Sequence, residues 1–246
     1  MHKMEEEKNI IVIICAKNPN KYLLENISNL YSIQITNKYE YKIICVDSDS
    51  DNFETYEIVK KSYPLVEIHM VKNKNYEYGA YKYAYNKYPN YDIYICIQDT
   101  FIINKKIDVS CVNDSHCWTY PYKNGFWDKR AELDGIKLLK EANLEWKKSK
   151  SFRLAQHCSF IVSQKVMCDI CKTFKYLPID KHNSCLYERL FGIYFTIKKI
   201  NVMPLKGYVR KYHGKRGLPG LPQQRAQWLK EWQEGKSWTV KNGWRK

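Results

Sequence analysis

No apolar run in this 246-residue chain approaches the roughly 18 to 20 residues that a membrane span requires. Residues 1–8, with Lys3, Glu5, Glu6, Glu7 and Lys8, lack the apolar stretch of a secretory leader. Secretion and membrane insertion are therefore not expected, and a cytoplasmic location is. Several nucleotide and nucleophile signatures are missing as well. No GxGxxG follows the first apolar run and there is no GxxxxGK[ST], which disfavours dinucleotide and P-loop sites; a GxSxG elbow is also absent. There is no internal repeat and no low-complexity linker. Residues 217–222 look briefly collagen-like, but so short a run cannot make a triple helix and reads as a turn-rich connection.

Cysteine is present but does not form a framework. The nine cysteines are an odd set, several of them in apolar β-type runs where a thiol acts as a small hydrophobe, so they read as reduced. Cys168 and Cys171 have zinc-knuckle spacing, yet no second pair follows at a usual distance. Helix packing is the plainer reading of that pair, with metal or redox use as the alternative.

Positive charge is abundant: 41 Lys and Arg stand against 26 Asp and Glu, for a net +15. That surplus favours anionic partners, whether nucleic acid, an acidic membrane surface or a phosphorylated small molecule. Residues 206–246 carry eleven Lys and Arg against Glu231 and Glu234 and form a basic C-terminal arm. The arm also holds Trp228, Trp232, Trp238 and Trp244, and the i, i+4 spacing of the first two would give one face of a docking helix.

The first half alternates strand and helix signals. Residues 9–15 are a continuous β-branched apolar run, as in a strand buried on both faces of a parallel sheet. Leu23, Leu24, Ile27 and Leu30 follow at helical spacing. Further strands are predicted at residues 41–46, 66–71 and 91–97, with helices at 53–61 and from Gly79 to about 87. Strands separated by helices of this length give a parallel α/β sheet, and ligands of such sheets bind at the carboxyl ends of the strands. Two strands deliver aspartates there, Asp47 and Asp99. The second half is less regular. It reads as a mixed, aromatic loop-like segment (118–127), a charged helical stretch (129–150), a strand (158–162), helices at 164–174 and 186–194, and a strand at 196–203.

Over residues 8–204 the order of these features resembles the GT-A fold nucleotide-sugar glycosyltransferases, especially the family-2-like group. Val46 to Asp51 looks like that family's acidic VDDGSxD turn. Asn73 to Ala80, with Asn86, resembles its N.G...A.N region, and Gln98-Asp99-Thr100 stands where it has the DXD metal motif. The resemblance implies a Rossmann-like, mixed but mostly parallel sheet flanked by helices. Residues 8–105 would be the nucleotide-sugar-binding half, 106–205 the acceptor-binding half and 206–246 the basic arm. It implies Ala16, Lys17, Asp47, Asp49, Gly79, Gln98, Asp99 and Lys215 as donor-binding residues, with a nucleoside-diphosphate sugar such as a UDP-sugar as donor and a glycan, protein or lipid as acceptor.

The motif departs from DXD in one respect, since Gln98-Asp99-Thr100 offers a single carboxylate. Mg2+ or Mn2+ wants oxygen ligands, of which Asp99 supplies one; the resemblance implies His213 as a second ligand and Lys215 as a diphosphate cation. Asp99 otherwise merely ends a strand. Asp47 would accept a hydrogen bond from a nucleoside, Asp51 would cap the next helix, and Gly79 would let the backbone approach a sugar or diphosphate.

An inverting transfer needs a general base for the acceptor hydroxyl. By position in the resembling family this is Glu188, with Asp180 as runner-up; a surface pairing with Arg189 is the plainer reading of Glu188. His157 reads as a core or acceptor-pocket histidine. Trp118, Tyr120, Tyr122, Phe126 and Trp127 would either stack on a sugar or pack in the core. Two other readings stay open: a nucleic-acid-binding module using the arm, with peripheral membrane contact as a variant, and a catalytically silent sugar-nucleotide-binding protein. Strand-end aspartates, which would repel phosphate, weigh against the nucleic-acid reading.

Overall fold

The computed structural model describes residues 8–33, 41–120, 129–146 and 151–211. His213, Lys215, the four tryptophans of the arm, Tyr122, Phe126 and Trp127 lie outside the described residues.

The first strand, β1 (Ile10–Ala16), is buried throughout and lies inside the sheet. On one side it pairs in parallel with β2 (Tyr41–Asp47) and on the other with β4 (Ile93–Gln98); β3 (Glu67–His69) adds to the far edge of β2. Between them run α1 (Lys21–Ile33), α2 (Glu54–Ser62) and α3 (Tyr76–Lys87).

The strand period of two sorts side chains into two cores. Ile11, Ile13, Cys15, Tyr94 and Cys96 face the layer that contains Tyr78, Tyr81 and Ala84 of α3. Ile10, Val12, Ile14, Ile93, Ile95 and Ile97 face Leu23, Ile27 and Leu30 of α1 and Tyr56 and Val59 of α2. The same alternation decides what the strand ends meet. Asp47 follows the parity of Cys45 and points to the α2 side, whereas Gln98 follows Cys96 and points to α3.

The sheet continues through the second half of the chain. β5 (Phe101–Ile103) leaves β4 after a tight turn, and then come β6 (His116–Thr119), α4 (Lys129–Glu141), a single 3₁₀ turn (Gln156–Cys158), β7 (Phe160–Ser163), α5 (Gln164–Thr173), α6 (Lys181–Ile197), β8 (Asn201–Pro204) and β9 (Val209–Lys211). β7 runs antiparallel to β4 and β6 antiparallel to β7, while β8 is parallel to β6, giving the order β3-β2-β1-β4-β7-β6-β8. β5 and β9 form a separate antiparallel pair.

The architecture is thus the mixed, mostly parallel α/β sheet expected, with local corrections. The α3 helix opens at Tyr76, three residues before Gly79, because Asn73 organises the turn: its Oδ1 accepts from the Asn75 N–H (3.0 Å) and its Nδ2 donates to the Tyr76 carbonyl (2.7 Å). Thr196 and Ile197 are helical rather than extended. The last turn of α6 buries Tyr194 and Phe195, packing that overrides β-branched preference, and Lys199 at φ 56° then reverses the chain. Asp51 caps nothing; α2 has Phe53 at its N-cap without a side-chain bond, and the Oδ1 of Asn52 accepts from the Glu54 N–H instead. Trp118 is in strand β6, buried edge-on against Tyr208, not in a loop. Residues 209–211, expected in the arm, are a strand.

All nine cysteines are free thiols, and Cys168 and Cys171 lie on α5. No helix among the described residues is long and apolar enough to cross a membrane.

Candidate functional site

The carboxyl ends of β1, β2 and β4 converge, and the loops that follow them are tied together by hydrogen bonds. The Ala16 carbonyl accepts from the Ser48 N–H (2.8 Å), and the Asn73 N–H donates to the Asp47 carbonyl (3.2 Å). Ser48 Oγ accepts from Asn73 Nδ2 (2.9 Å), and the Asn18 N–H donates to Ser50 Oγ (2.7 Å).

Asp47 is fully buried within this lattice. Its Oδ1 accepts from the Tyr56 hydroxyl (3.0 Å) and its Oδ2 from the Ser50 N–H (3.2 Å), so its carboxylate already orders the turn that carries Asp49. Asp49 is only partly buried, has φ 60°, and lies 3.9 Å from the Lys74 ammonium. Gly79 permits the close approach of the Asn73 turn: a Cβ there would lie 2.4 Å from Asn73 Oδ1 and 2.5 Å from Asn75 Cβ.

The densest polar cluster is at the end of β4. Gln98 Nε2 donates to Glu77 Oε1 in the first turn of α3, while Gln98 Oε1 accepts from the Lys211 ammonium. The other Glu77 oxygen accepts from Ser184 Oγ on α6 (3.0 Å). Lys211 also donates to Thr100 Oγ1, and its Nζ lies 4.7 Å from the centre of the Phe101 ring. Register explains this placement, because Lys211 on β9 is paired directly with Phe101 on β5.

The Asp99 N–H donates to the Cys15 carbonyl (3.0 Å). Burial pushes the Asp99 carboxyl above the ordinary carboxylate range, while the Lys211 charge and the backbone N–H groups of Thr100 and Lys17 pull it back. Lys17 therefore reaches the site through its backbone. Burial pushes the Lys211 ammonium down, opposed by Asp99 and Glu77.

Across from the strand ends, α6 presents Glu188 one turn after Ser184. The Glu188 side chain is 17% exposed, and its Oε1 lies 4.0 Å from His157 Nδ1. Burial raises its carboxyl to about 7, against a bond from the His157 backbone N–H and with help from the Glu77 charge. The bend that brings His157 here is unusual, with His157 at φ 55° and Cys158 at φ 50°. The strand-like segment before it crosses α6 at Gly192, where a Cβ would stand 1.8 Å from the Arg153 carbonyl oxygen. The Ala155 N–H then donates to the Glu188 carbonyl (2.9 Å). His157 itself packs against the rings of Phe101 and Tyr120.

Asp180, the runner-up base, is the exposed N-cap of α6, its Oδ1 accepting from the Asn183 N–H (2.7 Å). Arg189 donates to the Cys185 carbonyl (2.8 Å).

Among the described residues no group of three His, Cys, Asp or Glu side chains is placed to hold a metal ion. The donors around Asp99 do not fit Mg2+ or Mn2+. The oxygens of Gln98 and Thr100 already face an ammonium, and a divalent ion beside Lys211 would meet a positive charge that the Asp99 and Glu77 carboxylates already offset. The second expected ligand, His213, lies outside the described residues.

Two members of the cluster were not foreseen. Glu77 looks in sequence like an ordinary first-turn acid of a tyrosine-rich helix, and only the parity of Gln98 turns it inward. Lys211 is hidden in a run of cations, and its partner strand lies 110 residues earlier.

No family model matches this chain, and no curated protein matches it. Solved structures do match it in fold. The mannosyltransferase PcManGT from Pyrobaculum calidifontis, solved with GDP-Man and Mn2+, aligns with a TM-score of 0.51 at 13% identity over 94% of this chain and 66% of that one. The S. aureus TarS fragment 1–349 with UDP gives 0.46 at 14% identity, over 82% and 59% of the two chains. GalNAc-T7 with UDP, GalNAc and Mn2+ gives 0.44 at 10%, over 65% and 35%. This chain therefore spans from about a third to two thirds of the length of those proteins. The likeness to the mannosyltransferase is one of fold, and the fold of this chain is the GT-A fold.

Proposed function

We propose that this chain transfers a sugar from a nucleoside-diphosphate donor to an acceptor hydroxyl with inversion at the anomeric carbon. The observation that carries the reading is Glu188. A largely buried carboxyl held at about 7 opposite the carboxyl ends of a GT-A sheet has the basicity and the placement of a general base. In the transfer the acceptor oxygen bonds to the anomeric carbon as its proton passes to Glu188. The bond from that carbon to the diphosphate breaks, and the electron pair leaves on the phosphate oxygen.

The turns after β1 and β2, with Ala16, Lys17, Asp47 and Asp49, would form the nucleoside side of the donor site, and Gln98 and Asp99 the diphosphate side. Lys215 is kept as a candidate cation for the diphosphate. The acceptor, whether glycan, protein or lipid, would enter over α6 and the His157 bend. The likeness in fold to the mannosyltransferase supports a nucleotide-sugar donor, since its solved complex holds GDP-Man.

The test is transfer or donor hydrolysis measured with UDP-, GDP-, CDP- and dTDP-sugars on the full chain and on Glu188→Gln. Turnover with one donor, reduced at least about a hundredfold in the variant, is the expected result. Turnover within threefold of the parent would remove Glu188 as base.

A further inference from the structure

The residues around Asp99 that do not suit a divalent cation suit something else. Lys211 has three N–H donors, and two are taken, by Gln98 Oε1 and Thr100 Oγ1. The third has no hydrogen-bond partner among the described residues. Gln98 is itself held from behind by Glu77, and Glu77 by Ser184, so the ammonium is fixed by a chain of bonds running from β9 through β4 and α3 to α6. A lysine head normally costs rotamer freedom to position; here that order is already built into the fold.

We propose that the Lys211 ammonium takes the place of a divalent cation at the donor's diphosphate, so that nucleotide binding by this site does not require metal. The inference rests on the glycosyl-transfer reading above. As the bond to the anomeric carbon breaks, negative charge grows on the leaving phosphate oxygen, and Lys211 answers it with its remaining N–H and its charge. The Asp99 and Glu77 charges favour the ammonium over the neutral amine, against the opposing effect of burial. Lys181, at the start of α6 and under the influence of Glu77 and Glu188, is a second cation on the same side.

Thermal unfolding of the full chain against adenosine, guanosine, cytidine, uridine and thymidine diphosphates, in EDTA and again in Mn2+, separates the possibilities. One nucleotide at about 100 times its dissociation constant is expected to raise the midpoint by several degrees in EDTA, with no more than a small further gain in Mn2+. Lys211→Ala should lose most of that rise and Lys211→Arg keep part of it. The comparison on the unaltered chain decides the matter even where a variant fails to fold. A rise that appears only with Mn2+ overturns this inference and leaves the transfer reading standing. A rise in EDTA that Lys211→Ala retains in full moves the role to another cation and overturns it too. No rise with any nucleotide in either condition removes both.

Discussion

Glu188 connects chemistry to stability through one proton. Its carboxyl titrates at about 7 in the fold, against an ordinary glutamate value of 4.5. The folded state therefore binds the proton more tightly than the unfolded chain does, and stability falls as pH rises from about 4.5 to 7, by about 3 kcal/mol from this residue alone. Below 4.5 both states are protonated and the effect vanishes. Glu188→Gln, neutral at every pH, is expected to match the parent in urea unfolding near pH 4 and to exceed its stability by up to that amount at pH 8. Parallel pH curves for the two proteins would mean that the buried acid is not Glu188. The same ionisation should appear in turnover as a limb that rises through pH 7, since a base must first lose its proton.

At the scale of elements, β9 is short in residues and large in consequence. It covers β5, buries Val209, and delivers Lys211 to the strand end. A chain that ends after Lys206 loses that pairing and exposes Phe101, whereas one that ends after Lys211 keeps both. The first is expected to melt roughly 5 °C or more below the second; equal midpoints would show that β9 is not part of the stable fold. The long elements were readable from sequence because they are strongly patterned. β1 is a run of β-branched residues that has no other stable home, and α1 repeats Leu23, Ile27 and Leu30 along one face. The short strands β3 and β7 lie in apolar runs that the sequence marks at residues 66–71 and 158–162, but β5, β6 and β9 carry no such signal. β5, β6 and β9 are three or four residues each, and their positions follow from partners far away in the chain. Asp99 and Glu188 could be proposed from sequence because the family resemblance points to a strand end and a helix start; Glu77 and Lys211 depend on parity and register that only the assembled sheet supplies.

For the whole molecule the question is what the net charge of +15 does. The site accounts for few of those cations. Residues 212–246 alone hold eight Lys and Arg against two Glu. Cations spread along a segment bind polyanions by releasing counterions, so any affinity for single-stranded RNA should fall at least about tenfold between 50 and 200 mM salt. A nucleoside diphosphate held by directed hydrogen bonds at the strand ends responds much less, because partly buried contacts are poorly screened. A chain ending after Lys211 is expected to lose most RNA binding at 50 mM salt while weakening for the nucleotide by no more than a few-fold. Filter binding for RNA and thermal shift for the nucleotide read the two separately. RNA binding that survives high salt and the loss of residues 212–246 would instead place a nucleic-acid surface on the body of the protein. The buried acids at the ends of β2 and β4 would then need a different explanation.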